Sequence, residues 1–120
     1  MNVHWQLNFF AGLAMLDFYH QQKISLEKIV QKMSHNVADL FRIENRGYIR
    51  EGYFADLVLV NLNKPTNVSK SNLLYKCGWS PFEGHSFKSS IEKTFVSGHL
   101  VYDNGVFDES RYGERMLFNL

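Results

Sequence analysis

The chain is poor in several things that would each point to a function. It has one cysteine, Cys77, in 120 residues. A lone thiol excludes an internal disulfide framework and suits a reducing compartment, so the expected location is cytoplasmic. It also lacks a surplus of charge of one sign: 13 lysines and arginines face 12 aspartates and glutamates, interspersed along the chain, for a net charge of +1. A dedicated nucleic-acid surface needs concentrated positive charge to displace counterions, so no nucleic-acid partner is expected. The apolar run of residues 9–19 carries Asp17 and is far too short to span a bilayer, which excludes a membrane partner. The opening MNVHWQLN has no basic n-region, and no small-residue cleavage site follows it. There is no internal repeat and no low-complexity segment.

Motifs for chemistry are missing as well. The histidines are His4, His20, His35, His85 and His99. None forms an HxH, HExxH or HxxxH pair, and no carboxylate stands at a spacing that would complete a zinc site with them. We read them as surface or capping residues, with His99 facing outward from a strand. There is no GxSxG elbow, Walker loop or dinucleotide fingerprint. Gly47 and Gly52, four residues between them, do not make a phosphate cradle. A nucleophilic Cys77 would need a nearby base or a helix N-terminus. Lys76 adjoins it, but neighbours on an extended chain point to opposite faces, so a buried structural role is the reading preferred. The competing reading is an independent enzyme using Cys77 with a histidine. Asp56 opens an apolar run, where a carboxylate can tie down backbone N–H groups. That role is preferred over acid–base work, for which no partner is in sight. The expectation is therefore no catalytic, substrate-binding or metal-ligating residue and no cofactor in this chain.

What is present is an ordinary globular composition, 45% apolar and 21% charged, long enough for one domain with a modest core. A helical segment, residues 1–46, precedes a β-rich segment, residues 47–120, which gives an α+β class. Residues 8–22 read as a helix apolar nearly all round between Phe9 and Tyr19, the pattern of a helix sandwiched between other elements. Gly12 inside it costs roughly 1 kcal/mol against alanine, and close packing against a neighbour is the expected reason. Ser25 is placed to cap a second, amphipathic helix, with Glu27 in its first turn and Leu26, Ile29, Val30 and Met33 on one face, ending near His35. Asn36 is placed to cap a short third helix over residues 37–42, with Leu40 and Phe41 turned inward. Residues 57–60, LVLV, read as a strand covered on both faces. Residues 61–71 read as a polar loop. KTFVSGHLVY, residues 93–102, predicts a hairpin turning at Ser97-Gly98, and Asn104-Gly105 gives a second turn signal. Met116, Leu117 and Phe118 are expected to pack inward.

One stretch carries a resemblance. Gly47-x-Ile49-x-x-Gly52-x-x-Ala55-Asp56-Leu57-Val58 resembles the segment by which amidohydrolase-superfamily enzymes leave their barrel and enter a small β domain. The stretch YKCGWSPFEG (residues 75–84) looks like a loop near the end of dihydroorotases, and TFVSG (residues 94–98) resembles the hairpin that follows it. AMLDFYHQQKISLEKIVQKMSHN (residues 14–36) is similar to the last barrel helices of the bacterial enzymes. The resemblance covers roughly residues 11–120. It implies the last helices of an incomplete (β/α)8 barrel followed by a small β-sandwich-like domain, since a whole barrel takes about 250 residues. It implies a parent enzyme that interconverts dihydroorotate and N-carbamoyl-aspartate in pyrimidine synthesis through zinc-bound hydroxide. The family's ligands, an HxH pair, a carbamylated lysine, two later histidines and an aspartate, match no motif here. The chain alone is thus expected to be catalytically incompetent, with zinc belonging only to the complete enzyme. An initiating methionine followed by nine unmatched residues, up to Phe10, suggests a truncated or split reading frame. Val37 stands where the family usually has proline, a mild change at a helix start. The alternative is a non-catalytic assembly module, pairing with a barrel half or with itself through strand edges and the apolar first helix.

Overall fold

A computed structural model describes residues 4–72 and 80–120, with side chains from residue 10 onward except residue 72. Three helices, α1 (His4–His20), α2 (Leu26–Val30) and α3 (Asn36–Leu40), come first. Six strands follow: β1 (Leu57–Asn61), β2 (Thr66–Asn67), β3 (Ser86–Phe87), β4 (Ser90–Val96), β5 (His99–Asp103) and β6 (Val106–Phe107). One sheet has the order β1-β4-β5-β6 and a second pairs β2 with β3. The chain forms two compact units, Met1–Ile24 with Asn61–Ser90, and Ser25–Val60 with Ile91–Leu120.

In the first unit α1 buries one stripe. Phe10, Leu13 and Leu16, at helical spacing, are buried together with Val68 and Phe87. Phe10 stacks on Phe87 at 6.0 Å between centroids, and Phe82 fills the angle between them at 5.9 and 5.5 Å. Phe18, by contrast, is 42% exposed. Ala11, Ala14, Met15 and Tyr19 are partly covered, so the helix is fully buried along one stripe and open at Phe18. Gly12 also departs from expectation, because a Cβ there would meet none of the described atoms within 4 Å. The expected polar loop over residues 61–71 contains β2, which pairs antiparallel with β3 (Thr66 opposite Phe87). The Val68 side chain this brings inward is the reason the segment is ordered.

In the second unit Ser25 caps α2 as its position predicts, its hydroxyl accepting from the Lys28 amide at 3.2 Å. The expected break at Asn36 is absent. His35 and Asn36 are both helical, neither caps by side chain, and a π-helical turn, Gln31–His35, carries α2 into α3. Ile29 and Ala38 are the buried residues of these helices. Nine positions apart, they would stand on opposite sides of a regular α-helix after about two and a half turns. The wide turn shifts that phase. It leaves Leu40 75% and Phe41 58% exposed, against the expectation that they turn inward.

The hairpin forms as predicted. β4 and β5 pair antiparallel with Val96 opposite His99, and Ser97 (φ 49°) and Gly98 (φ 79°) make the tight turn. The strand begins earlier than expected, at Ser90, and the register shifts between Thr94 and Phe95. Asn104 (φ 46°) and Gly105 (φ 97°) make the second turn, joining β5 to β6. β1 is a strand, but the expectation that it is covered on both faces fails. Leu57, Val58, Leu59 and Val60 are 37–56% exposed. β1 lies at the edge of its sheet, with β4 on one side, and both of its faces are only partly covered. The terminal segment docks by backbone rather than by burying side chains. Phe118 bridges Ile43, and Glu44 N–H donates to the Leu117 carbonyl at 2.9 Å. Met116, Leu117 and Phe118 stay half exposed.

Candidate functional site

The glycine–aspartate segment is the place to look for chemistry, and its geometry follows from the helix before it. α3 ends with the Arg42 N–H donating to the Asp39 carbonyl and the Ile43 N–H to that of Ala38, the six-to-one and five-to-two pair of a Schellman ending. Arg42, at φ 52°, occupies the left-handed position where glycine is preferred. The chain then doubles back onto the helix. Gly47, at φ 82°, lies so close that an added Cβ would collide with the Ala38 side chain and reach the Ser34 carbonyl at 3.0 Å. Both its conformation and its contact demand glycine there.

Arg46, beside it, is 8% exposed. It pairs with Asp56 Oδ2, donates to the Glu114 carbonyl at 3.1 Å, and lies over the Phe54 ring at 4.1 Å. The other Asp56 oxygen, Oδ1, accepts the Ser97 amide at 2.7 Å. The neighbouring Gly98 N–H donates to the Ala55 carbonyl at 3.0 Å, and Ser97 Oγ accepts from the Glu114 amide at 3.3 Å. One carboxylate thus fastens the motif to the β4–β5 turn. This is the backbone-anchoring role read from its position, with each carboxylate oxygen engaged by one partner. Sequence reasoning missed Arg46. A basic residue directly before a tight-turn glycine was its only signal, and no local rule predicts which carboxylate will meet it.

The histidines are dispersed among separate contacts. In the first unit, His85 Nε2 stands 3.2 Å from Asp17 Oδ2, while Asp17 Oδ1 accepts the Lys88 amide at 3.0 Å. His20 Nε2 lies 2.9 Å from Ser89 Oγ, a pairing that superficially suggests a nucleophile with its base. Ser89 is fully buried, however, and its hydroxyl proton is directed to the Leu62 carbonyl at 3.3 Å. A fully buried hydroxyl that also bonds a backbone carbonyl suits a structural contact between α1 and the segment before β4. In the second unit, His35 stacks on Tyr48 at 4.1 Å, and Tyr48 donates to Asp39 at 2.7 Å. That hydrogen bond, with some desolvation, raises the phenol above its ordinary value. His99 has 22% of its side chain exposed, with Nε2 3.0 Å from Asp108 Oδ2, so it does not face outward as expected. Asp108 folds over it, its carboxyl held below the ordinary range chiefly by Ser110. The His4 side chain and Cys77 lie outside the described residues, as do residues 75–79 of the YKCGWSPFEG stretch. Its end is a compact turn, where Ser80 Oγ accepts the Phe82 amide at 3.2 Å and Gly84 has φ 81°.

A shallow, open depression of about 450 Å³ lies, among the described residues, between Asp39, Arg42, Asn45, Tyr53 and Asn119. Among the described residues, no three histidine, cysteine, aspartate or glutamate side chains converge as metal donors. No described helix is long and apolar enough to cross a membrane.

Comparison with known proteins gives these features their setting. An allantoinase of Desulfitobacterium hafniense strain Y51 is 34% identical over 98 residues, 82% of this chain and 22% of that protein. A dihydroorotase of Pyrococcus horikoshii is 33% identical over 103 residues, 86% of this chain and 24% of that one. The structure of an L-hydantoinase (dihydropyrimidinase) from Arthrobacter aurescens superposes with a TM-score of 0.69 at 31% identity, over 78% of this chain and 21% of its own. The chain therefore spans less than a quarter of the length of the relatives it matches. The model of the Amidohydrolase family matches residues 6–101, from α1 through the Asp56 anchor to β5. Since that match takes in both the helical segment and the hairpin to which Asp56 fastens it, the chain belongs to the Amidohydrolase family.

Proposed function

We propose that this chain is the C-terminal part of a cyclic amidohydrolase of the dihydroorotase kind, and that it performs no chemistry by itself. In this reading residues 1–46 are the closing helices of a (β/α)8 barrel and residues 47–120 the small, sandwich-like β domain. The complete enzyme is cytoplasmic, opens and closes the cyclic amide of dihydroorotate in pyrimidine synthesis, and depends on zinc. The resemblance of the Gly47–Asp56 motif, the relatives named dihydroorotase and the short span of those relatives all support this reading. The carrying observation is that both Asp56 oxygens are engaged, one by Arg46 and one by the Ser97 amide, as expected of an anchor.

The described residues do not fit a zinc site. Asp56 and Asp17 are committed to backbone and side-chain partners, and the histidines stand in separate contacts. No reaction step is therefore assigned to this chain. Purified, metal-replete chain should retain no stoichiometric zinc after dialysis and should not hydrolyse dihydroorotate. Turnover that co-purifies with homogeneous chain would refute the reading.

A second reading rests on β1. Four consecutive apolar residues, 37–56% exposed at a sheet edge, favour an assembly module that pairs with a barrel half or with itself. Light scattering after size exclusion tests self-pairing, for which a monomer at high concentration is the contrary result.

A further inference from the structure

The four-stranded sheet contains two tight turns of similar backbone, and they are held very differently. At Ser97-Gly98 both amides are bonded to the motif, to Asp56 Oδ1 at 2.7 Å and to the Ala55 carbonyl at 3.0 Å. At Asn104-Gly105 the Asn104 N–H donates to the Glu92 carbonyl at 2.8 Å and the Gly105 backbone bonds the Tyr102 phenol of its own hairpin, and the leaving side runs into β6, closed beyond by the Asp108 N–H donating to the Val101 carbonyl at 2.9 Å. That strand has only two residues and lies at the sheet edge, with Val106 70% and Phe107 47% exposed. Short exposed edge elements open locally at little free-energy cost. No other asparagine in the sequence is followed by glycine, both turn residues are exposed, and the space around Gly105 is open among the described atoms.

We infer that Asn104-Gly105 is a site of spontaneous deamidation, at which the chain converts its own asparagine to aspartate and isoaspartate. In the closed turn the Asn104 carboxamide is turned toward Asp103, Nδ2 to Oδ1 at 2.9 Å, so the reaction starts from the frayed turn. With β6 detached, Gly105 rotates freely because it has no side chain, and its nitrogen reaches Asn104 Cγ. The new N–Cγ bond forms as the Gly105 N–H proton passes to solvent. The Cγ–Nδ2 bond breaks, the nitrogen leaves as ammonia, and a five-membered succinimide remains. Water adds to either of its carbonyls. One opening gives aspartate, the other isoaspartate, whose main chain runs through the former side chain. Water is the only co-reactant.

The product alters the sheet at a defined place. Asp103 is held below the ordinary carboxylate range by Lys93 first and Asn104 second. Conversion removes the Asn104 donor and sets a second carboxylate beside Asp103, which weakens the pair with Lys93 at 3.1 Å. An isoaspartate also lengthens a two-residue turn, so the Asp103–Val106 pairing cannot close in its present register.

The test is peptide mapping by mass spectrometry, with isoaspartyl methyltransferase labelling, of the purified chain aged in mildly alkaline buffer. A parallel sample is aged unfolded in urea, with the Asn104→Gln chain as control. The folded chain should lose Asn104 ahead of all its other asparagines combined and should gain isoaspartate in that peptide, which the control does not. If the folded chain keeps Asn104 over the time in which the unfolded chain loses half of it, the inference is overturned. Loss that begins at another asparagine overturns it equally.

Discussion

Asp56 and the four residues after it are neighbours in sequence and opposites in structure. Asp56 is tied by side chain to Arg46 and to the Ser97 amide, and the segment before it is pinned to α3 through Gly47. Leu57 to Val60 are apolar, yet they lie open on both faces at the edge of the sheet. The difference lies in where the partners come from. Polar anchoring is satisfied within this unit, by groups ten and about forty residues away. Apolar burial of β1 is only partial, its four side chains being 37–56% exposed among the described residues. A family motif can therefore be structurally complete in a chain whose hydrophobic surface is not.

Breaking the tied half gives the largest expected effect. Arg46→Ala leaves Asp56 without its cation and frees the Glu114 carbonyl, and should destabilise the second unit by about 3 kcal/mol, at the lower end for a broken buried pair because Asp56 is a third exposed. The urea midpoint, at constant slope, reads it. Gly47→Ala comes next. Its left-handed conformation and the collision with Ala38 together should cost about 2 kcal/mol. Arg42→Gly works in the other direction, relieving a non-glycine residue at the Schellman position, and should stabilise by about 1 kcal/mol. On the open half, Val58→Thr should change stability by less than about 0.5 kcal/mol, because the side chain is 56% exposed. A loss several times larger would mean that β1 is covered in solution.

Acid sharpens the same contrast through the β5–β6 end. Asp103 and Asp108 both have carboxyls held below their ordinary value in the folded chain, by Lys93 and by Ser110 first. A depressed folded value contributes stability above the unfolded value and loses it as the pH falls through the folded one. Stability should therefore decline on acidification below the ordinary carboxylate range, and less steeply in Asp103→Asn. Thermal melts across that range check both.

Local rules account for what was legible in the sequence. Ser25 caps because a serine before an amphipathic run can reach the amide three residues on, and Ser97-Gly98 and Asn104-Gly105 turn because their residues tolerate positive φ. Asp56 as an anchor followed from its place ahead of a strand. The misread features all needed the third dimension. Whether LVLV, Leu40 and Phe41 are buried depends on what lies over them, which periodicity does not report. The π-helical turn, Gln31–His35, shifts the phase of a pattern that assumes regular spacing. Arg46 became visible only when its partner ten residues on, and the Glu114 carbonyl 68 residues on, came within reach.

Whether the motif works as a lock is read most directly from a double-mutant cycle on Arg46 and Asp56. Unfolding of the wild-type chain, Arg46→Ala, Asp56→Ala and the double variant gives the coupling between the two side chains. The double variant should lose less than the sum of the two single losses, by a coupling of about 1–3 kcal/mol, the remainder being the Ser97 amide bond that Asp56 makes without Arg46. Losses that add to within about 0.5 kcal/mol would contradict it, since independent sites behave that way.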